Sequence, residues 1–215
     1  MKISGNFPEA KHLLLVVVAS AVALGAGWWL AGYLFGSMPD LEDLHGLRFS
    51  EPRALTPFTL SDHHGVEFGV DRLKGKWSYV FFGYTHCPDV CPTTMSVLNS
   101  VAGRLDNSEI PVQYIFISVD PVRDTPEQLG QFVSYFNGDF IGVTGTDQGL
   151  ESLTRQLGVA YMRVPAENGT ENYLIDHTAS VLLFDPDGRF HANYSPPLDA
   201  AGISEDLPRL VKAYP

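Results

Sequence analysis

Only two cysteines occur in the 215 residues, Cys87 and Cys91, with three residues between them. That scarcity excludes a framework of stabilising disulfides, and one bridge across so short a loop would add little stability by itself. Basic residues are also few, 14 Lys and Arg against 25 Asp and Glu, which leaves a formal net charge of −11 at pH 7. So acidic a chain is a poor partner for nucleic acid, whereas it stays soluble and suits a metal cation or a basic protein. No internal repeat or low-complexity tract is visible.

A further scarcity is local: Leu13–Phe35 is 23 residues without one charge. At helical rise it spans roughly 34 Å, enough to cross a bilayer with some tilt. Lys2, Lys11 and His12 precede it while Asp40, Glu42 and Asp43 follow. The positive-inside rule then keeps residues 1–12 in the cytoplasm and exports the rest. A cleaved signal peptide is the competing reading, since Ala23–Gly27 resembles a cleavage region. The apolar run continues through Trp28–Phe35, however, which favours an uncleaved anchor. Residues 36–50, with Gly, Ser, Pro and acids, read as a tether, and residues 51–215 as one globular domain.

Within that domain Phe58–Leu60 and Val66–Phe68 flank Ser61–Gly65 and predict a hairpin, its turn capped by His63 and His64. Ser78–Tyr84 is an apolar run of buried-strand length, followed after the cysteines by a helical pattern over Pro92–Leu105. The order repeats with a strand at Val112–Val119 and a helix at Pro126–Phe136, for which Asp124 and Thr125 are N-cap candidates and Gln128 completes a capping box. Further elements are a strand at Phe140–Val143, a helix at Asp147–Leu157, a hairpin of Ala179–Phe184 with Arg189–Tyr194, and a helix at Ile203–Ala213. The fold class is α/β: a thioredoxin-like domain with an extra N-terminal β-hairpin, preceded by one transmembrane helix.

Cys87 and Cys91 stand where a buried strand turns into a helix. With Pro92 at the first helical position, Cys91 is at or beside the N-cap, where backbone N–H groups and the helix dipole favour thiolate. A redox-active dithiol is one reading of the pair. A metal site is the other, and two sulfurs need a third ligand. His177 is the best placed of seven histidines, directly before a predicted strand, where a thioredoxin-like domain normally presents a cis-proline. No proline occurs between Pro165 and Pro186, which argues against an ordinary thioredoxin-type reductase. Two thiolates and an imidazole suit Cu(I), and Cu(II) when another group completes the set, whereas structural zinc wants four protein ligands. His86 is a candidate neighbour of the site, and Asp120 and Asp124 read as turn and cap residues near the same sheet edge. A peroxidatic Cys87 lacks a recognisable activating arrangement, although Thr85 is near.

Gly83-Tyr-Thr-His-Cys-Pro-Asp-Val-Cys-Pro-Thr93, Ser118-Val-Asp-Pro-Val-Arg-Asp-Thr-Pro126 and Tyr173-Leu-Ile-Asp-His177 resemble the Sco/SenC copper proteins of cytochrome c oxidase assembly over about residues 50–213. The resemblance implies Cys87, Cys91 and His177 as ligands of one copper ion. It also implies delivery of that copper to the copper-bearing subunit of the oxidase, or reduction of that subunit's cysteines. Other copper chaperones or a thiol reductant are then further partners. The implied setting is a bacterial inner membrane with the domain in the periplasm, the mitochondrial inner membrane being the alternative.

Overall fold

The computed structural model describes residues 10–34, 41, 43–165 and 173–214. Strand β4 (Trp77–Gly83) is buried at all seven positions, which is why its sequence reads as an unbroken apolar run and not as an alternation. It pairs in parallel with β5 (Val112–Ser118), from Trp77 opposite Val112 to Gly83 opposite Ser118, and β5 pairs in parallel with β6 (Ile141–Thr144). Parallel neighbours need crossovers. Helices α2 (Val90–Leu105) and α3 (Pro126–Phe136) supply them. On its other side β4 pairs antiparallel with β9 (Val181–Phe184), which continues into the hairpin partner β10 (Phe190–Tyr194).

The predicted capping box is present: the Thr125 hydroxyl accepts from Gln128 N–H, and the Gln128 side chain accepts from Thr125 N–H. Helix α4 (Asp147–Leu157) has the predicted ends, capped by Thr146 and stopped by Gly158 in the left-handed conformation at φ 70°. Helix α5 (Ala200–Lys212) starts earlier than expected, because Asp199 caps it by accepting from Ala201 and Gly202 N–H groups. The extra hairpin, β2 (Leu60–Asp62) with β3 (Glu67–Phe68), adds to the edge at β6. Its turn is not capped by histidines. Asp62 accepts from His64 and Val66 N–H groups, both at 2.9 Å, while His63 turns away to accept from Gly142 N–H.

Two elements depart from the sequence reading. Strand β1 (Leu47–Arg53) pairs with β10 at the far edge of the sheet, so the folded part begins inside the segment expected as a tether. Its polar, Pro-containing sequence carries no strand pattern because an edge strand is half solvated and tolerates charge. Residues 36–40 and 42 of that segment lie outside the described residues. The second departure is a separate two-stranded sheet of β7 (Tyr161–Pro165) and β8 (Tyr173–His177). Helix α1 (Ala10–Leu34) contains His12–Ala31, 20 residues of mean hydropathy 2.2 with none of the helix window buried. That length and composition suffice to cross a membrane.

The chain ahead of β1 is latched to α5. Asp206, fully buried, accepts from Gly46 N–H at 2.9 Å and faces His45 Nδ1 at 3.2 Å, while Arg209 donates to the Asp43 carbonyl at 3.0 Å. Asp206→Ala removes the shared acceptor. Hydrogen bonds to a charged group are worth about 1.5–3 kcal/mol, so limited proteolysis within residues 43–48 is expected to accelerate by roughly tenfold or more while cleavage elsewhere is unchanged.

Candidate metal centre

The centre forms where β4 ends. Gly83, its last residue, has no room for a side chain: a Cβ there would lie 2.7 Å from Cys91 Sγ and 2.9 Å from the Phe116 ring. Glycine thus lets the Cys91 sulfur rest directly on the strand. Helix α2 begins at Val90 with Asp89 as its N-cap. Cys91 is therefore the second helical residue and Pro92 the third, two steps further in than the first position the sequence suggested for Pro92. The whole first turn lacks intrahelical acceptors for its N–H groups, so proline is tolerated there and the Cys91 N–H is free to point elsewhere. It points at Cys87 Sγ, 3.4 Å away.

His177 arrives from the end of β8. Its Nε2 lies 3.4 Å from Cys91 Sγ, and its Nδ1 is 3.1 Å from the Thr178 carbonyl oxygen. A carbonyl only accepts, so Nδ1 carries a proton. In the neutral ring Nε2 presents a lone pair to the sulfurs, and in the protonated ring an N–H. Edge contacts from Phe81 and Tyr84, with centroids 5.8 and 6.1 Å away, hold the imidazole in place. The donor atoms of Cys87, Cys91 and His177 all lie within 4.8 Å of one another. Among the described residues this is the group of three or more His, Cys, Asp or Glu side chains close enough to share a metal ion.

The two sulfurs are unequal. Both are free thiols, Cys91 buried and Cys87 partly exposed. The hydrogen bond from Cys91 draws the Cys87 thiol down from its usual value to about 3; burial opposes this, while His177 and the backbone N–H groups of Cys91 and Asp89 assist. Cys91 is pushed up in turn, by the proton it shares with Cys87 and by burial. The pair thus keeps one proton, on the inner sulfur, and exposes a thiolate on the outer one.

Asp120 and Asp124 are not helix caps. Asp124, fully buried, accepts from Thr85 N–H (2.9 Å), Thr85 Oγ1 (2.6 Å) and Ser118 Oγ (2.5 Å), tying the loop after β5 to the cysteine loop. His86 stands beside this network, its Nδ1 3.1 Å from Thr85 Oγ1. Asp120, also fully buried, binds Arg123 Nε and the Tyr173 hydroxyl. Arg123 and the role of Tyr173 escaped the sequence reading, although both residues lie in the quoted motifs. His45 and His191 pair with Asp206 and Asp185, far along the chain from the sulfurs.

The SCO1/SenC family model matches residues 49–212. The chain belongs to the SCO1/SenC family. Among its relatives in that family, a SCO2-like protein of Rickettsia conorii is 37% identical over 190 residues, 88% of this chain and 90% of the relative. The structure of Bradyrhizobium japonicum ScoI with copper bound is similar at a TM-score of 0.66 and 36% identity, covering 73% of this chain and 99% of that one. Arabidopsis thaliana ScoI with copper bound is similar at a TM-score of 0.70 and 33% identity, covering 74% and 98%. The SCO1/SenC fold is thus the thioredoxin-like α/β architecture expected, with the hairpin β2–β3 added.

The inequality of the thiols has a direct readout. In the reduced, metal-free protein Cys87 is expected to alkylate readily at about pH 5, where an ordinary thiol with a pKa near 8.5 is protonated. Cys91 should stay unmodified until Cys87 has reacted. Mass mapping of the labelled cysteine across pH checks both statements.

Proposed function

We propose that this SCO1/SenC protein is a membrane-anchored copper carrier. It holds one copper ion between Cys87, Cys91 and His177 and delivers it to the copper-bearing subunit of cytochrome c oxidase. The observation that carries this reading is the convergence of two sulfurs and one imidazole nitrogen within 4.8 Å. Such a soft, three-donor set suits Cu(I) and leaves room for a further donor around Cu(II). The acidity of Cys87 also fits, since metal binding needs deprotonated sulfur. The copper-bound ScoI relatives support the choice of metal. Helix α1 serves as a single-pass anchor in the inner membrane, with the domain on the periplasmic side, by the placement of Lys2 and Lys11 before it and Asp40, Glu42 and Asp43 after it.

A second reading rests on the same thiolate. Cys87 could attack a disulfide of the oxidase subunit and be resolved by Cys91, giving the client two thiols and this chain a Cys87–Cys91 disulfide. A thiol reductant must then reset it. His177 separates the two readings, because exchange needs only the sulfurs.

His177→Ala is expected to lower Cu(II) affinity more than Cu(I) affinity, since Cu(I) remains satisfied by two sulfurs while Cu(II) prefers nitrogen and a higher coordination number. Reduction of a model disulfide should be retained, and oxidase copper content in cells should fall. Normal oxidase assembly with both affinities collapsed would replace the carrier reading with the reductant one. The disulfide form of the wild-type protein is expected to take up no copper, measured before and after thiol reduction, because a sulfur in a disulfide cannot also be a thiolate ligand.

A further inference from the structure

Strand β8 lies outside the main sheet, so the sheet's hydrogen bonds do not fix the position of His177. Side chains on a strand alternate between faces. Tyr173, Ile175 and His177 are the less exposed set on β8, while Leu174 and Asp176 are exposed. Each of the three inner residues is held at a different point. Ile175 is buried in the core. His177 faces the sulfurs. Tyr173 is gripped three times over by the loop after β5. Its hydroxyl donates to Asp120 Oδ1 at 2.5 Å, its carbonyl accepts from Arg123 at 3.0 Å, and its ring lies 3.7 Å beneath the Arg123 guanidinium.

We propose that Tyr173, docked on the buried Asp120–Arg123 pair, is a positioning residue that sets the approach of His177 to the Cys91 sulfur. The idea deepens the copper reading and rests on it. Asp120 has no exposed surface; one oxygen binds Arg123 Nε and the other the Tyr173 hydroxyl, with Arg163 3.8 Å from that second oxygen and over the Tyr173 ring, so the grip is geometrically tight. Three residues of extended strand separate Tyr173 from His177, and a lateral shift at one end moves the other. The loop that holds Tyr173 is itself tied to the cysteine loop through Asp124 and Thr85. Imidazole and sulfurs are thereby referred to one support, and partners that orient a ligand in this way tune its affinity for the metal.

The test compares Tyr173→Phe with the wild-type chain and with Leu174→Ser on the opposite face of β8. Tyr173→Phe keeps the ring against Arg123 and deletes only the hydroxyl. Cu(II) affinity is expected to fall about ten- to hundredfold, with weakened nitrogen hyperfine coupling in the Cu(II) spectrum, while Cu(I) affinity changes by less than about threefold. Leu174→Ser should leave all three unchanged. A metal-free readout separates this idea from the copper reading. In the reduced protein the rings of Phe81 and Tyr84 beside His177 are expected to shift its ring signals, and Tyr173→Phe should move them toward free-histidine positions. Unchanged His177 signals in Tyr173→Phe would overturn the positioning role whatever the metal does. Equal loss of Cu(I) and Cu(II) binding with a lowered melting temperature would overturn it too, by reducing Tyr173 to a structural residue. His177 signals that move in Tyr173→Phe, when the wild-type chain itself binds no copper, would keep the positioning role and sink the copper reading.

Discussion

The register of β4 against β5 is the constraint on which the site depends. Gly83 lies opposite Ser118, so the two strands end level and their following loops emerge side by side. The buried Asp124 carboxylate then joins them through Thr85 and Ser118. A buried carboxylate is costly unless fully hydrogen-bonded, and here Asp124 of one loop takes its partners from the other loop and from the end of β5, so the two loops are specified together. Shifting the register by one residue would also exchange the faces of β4. Gly83 would no longer lie beneath the Cys91 sulfur.

Metal capture and thiol exchange draw on one electrostatic feature. The Cys91 thiol donates to Cys87 and, aided by the Cys91 N–H of the first turn of α2, supports a thiolate there while Cys91 keeps its proton. An outer thiolate with a protonated inner partner is ready to attack a disulfide. The same pair becomes a soft chelate once the inner proton leaves, with the imidazole nitrogen already adjacent. On the proposed function, the chemistry that follows is selected by which electrophile arrives, a copper ion or a sulfur, and His177 supplies the donor that only the copper reading uses.

Much of this was legible in the chain. The buried run at β4 and the capping box of Thr125 and Gln128 follow from local rules of periodicity and capping, while His177 is marked as a third donor by its place before a strand in a thioredoxin-like order. What stayed hidden depends on partners distant in sequence. Strand β1 is an edge strand whose Ser50, Glu51 and Arg53 face solvent, so it carries no apolar alternation to find. The hairpin β7–β8 buries only Ile175 deeply. Asp120 and Asp124 looked like caps because Asp before a helix commonly is one. Their actual partners, Tyr173 and Thr85, lie 53 and 39 residues away, and no local rule reaches that far.

The latch of Asp43, His45 and Gly46 onto α5 also governs how the domain searches for a client. From Leu34, the end of α1, to Asp43 the chain has nine peptide steps, a reach of about 32 Å at full extension. On the proposed topology the domain's attachment point stays within about 32 Å of the membrane. Encounter with a membrane-embedded acceptor becomes a search in two dimensions at high effective concentration. Such a carrier needs little intrinsic affinity for its acceptor, and a weakly held acceptor is one that can leave as soon as its copper has been received.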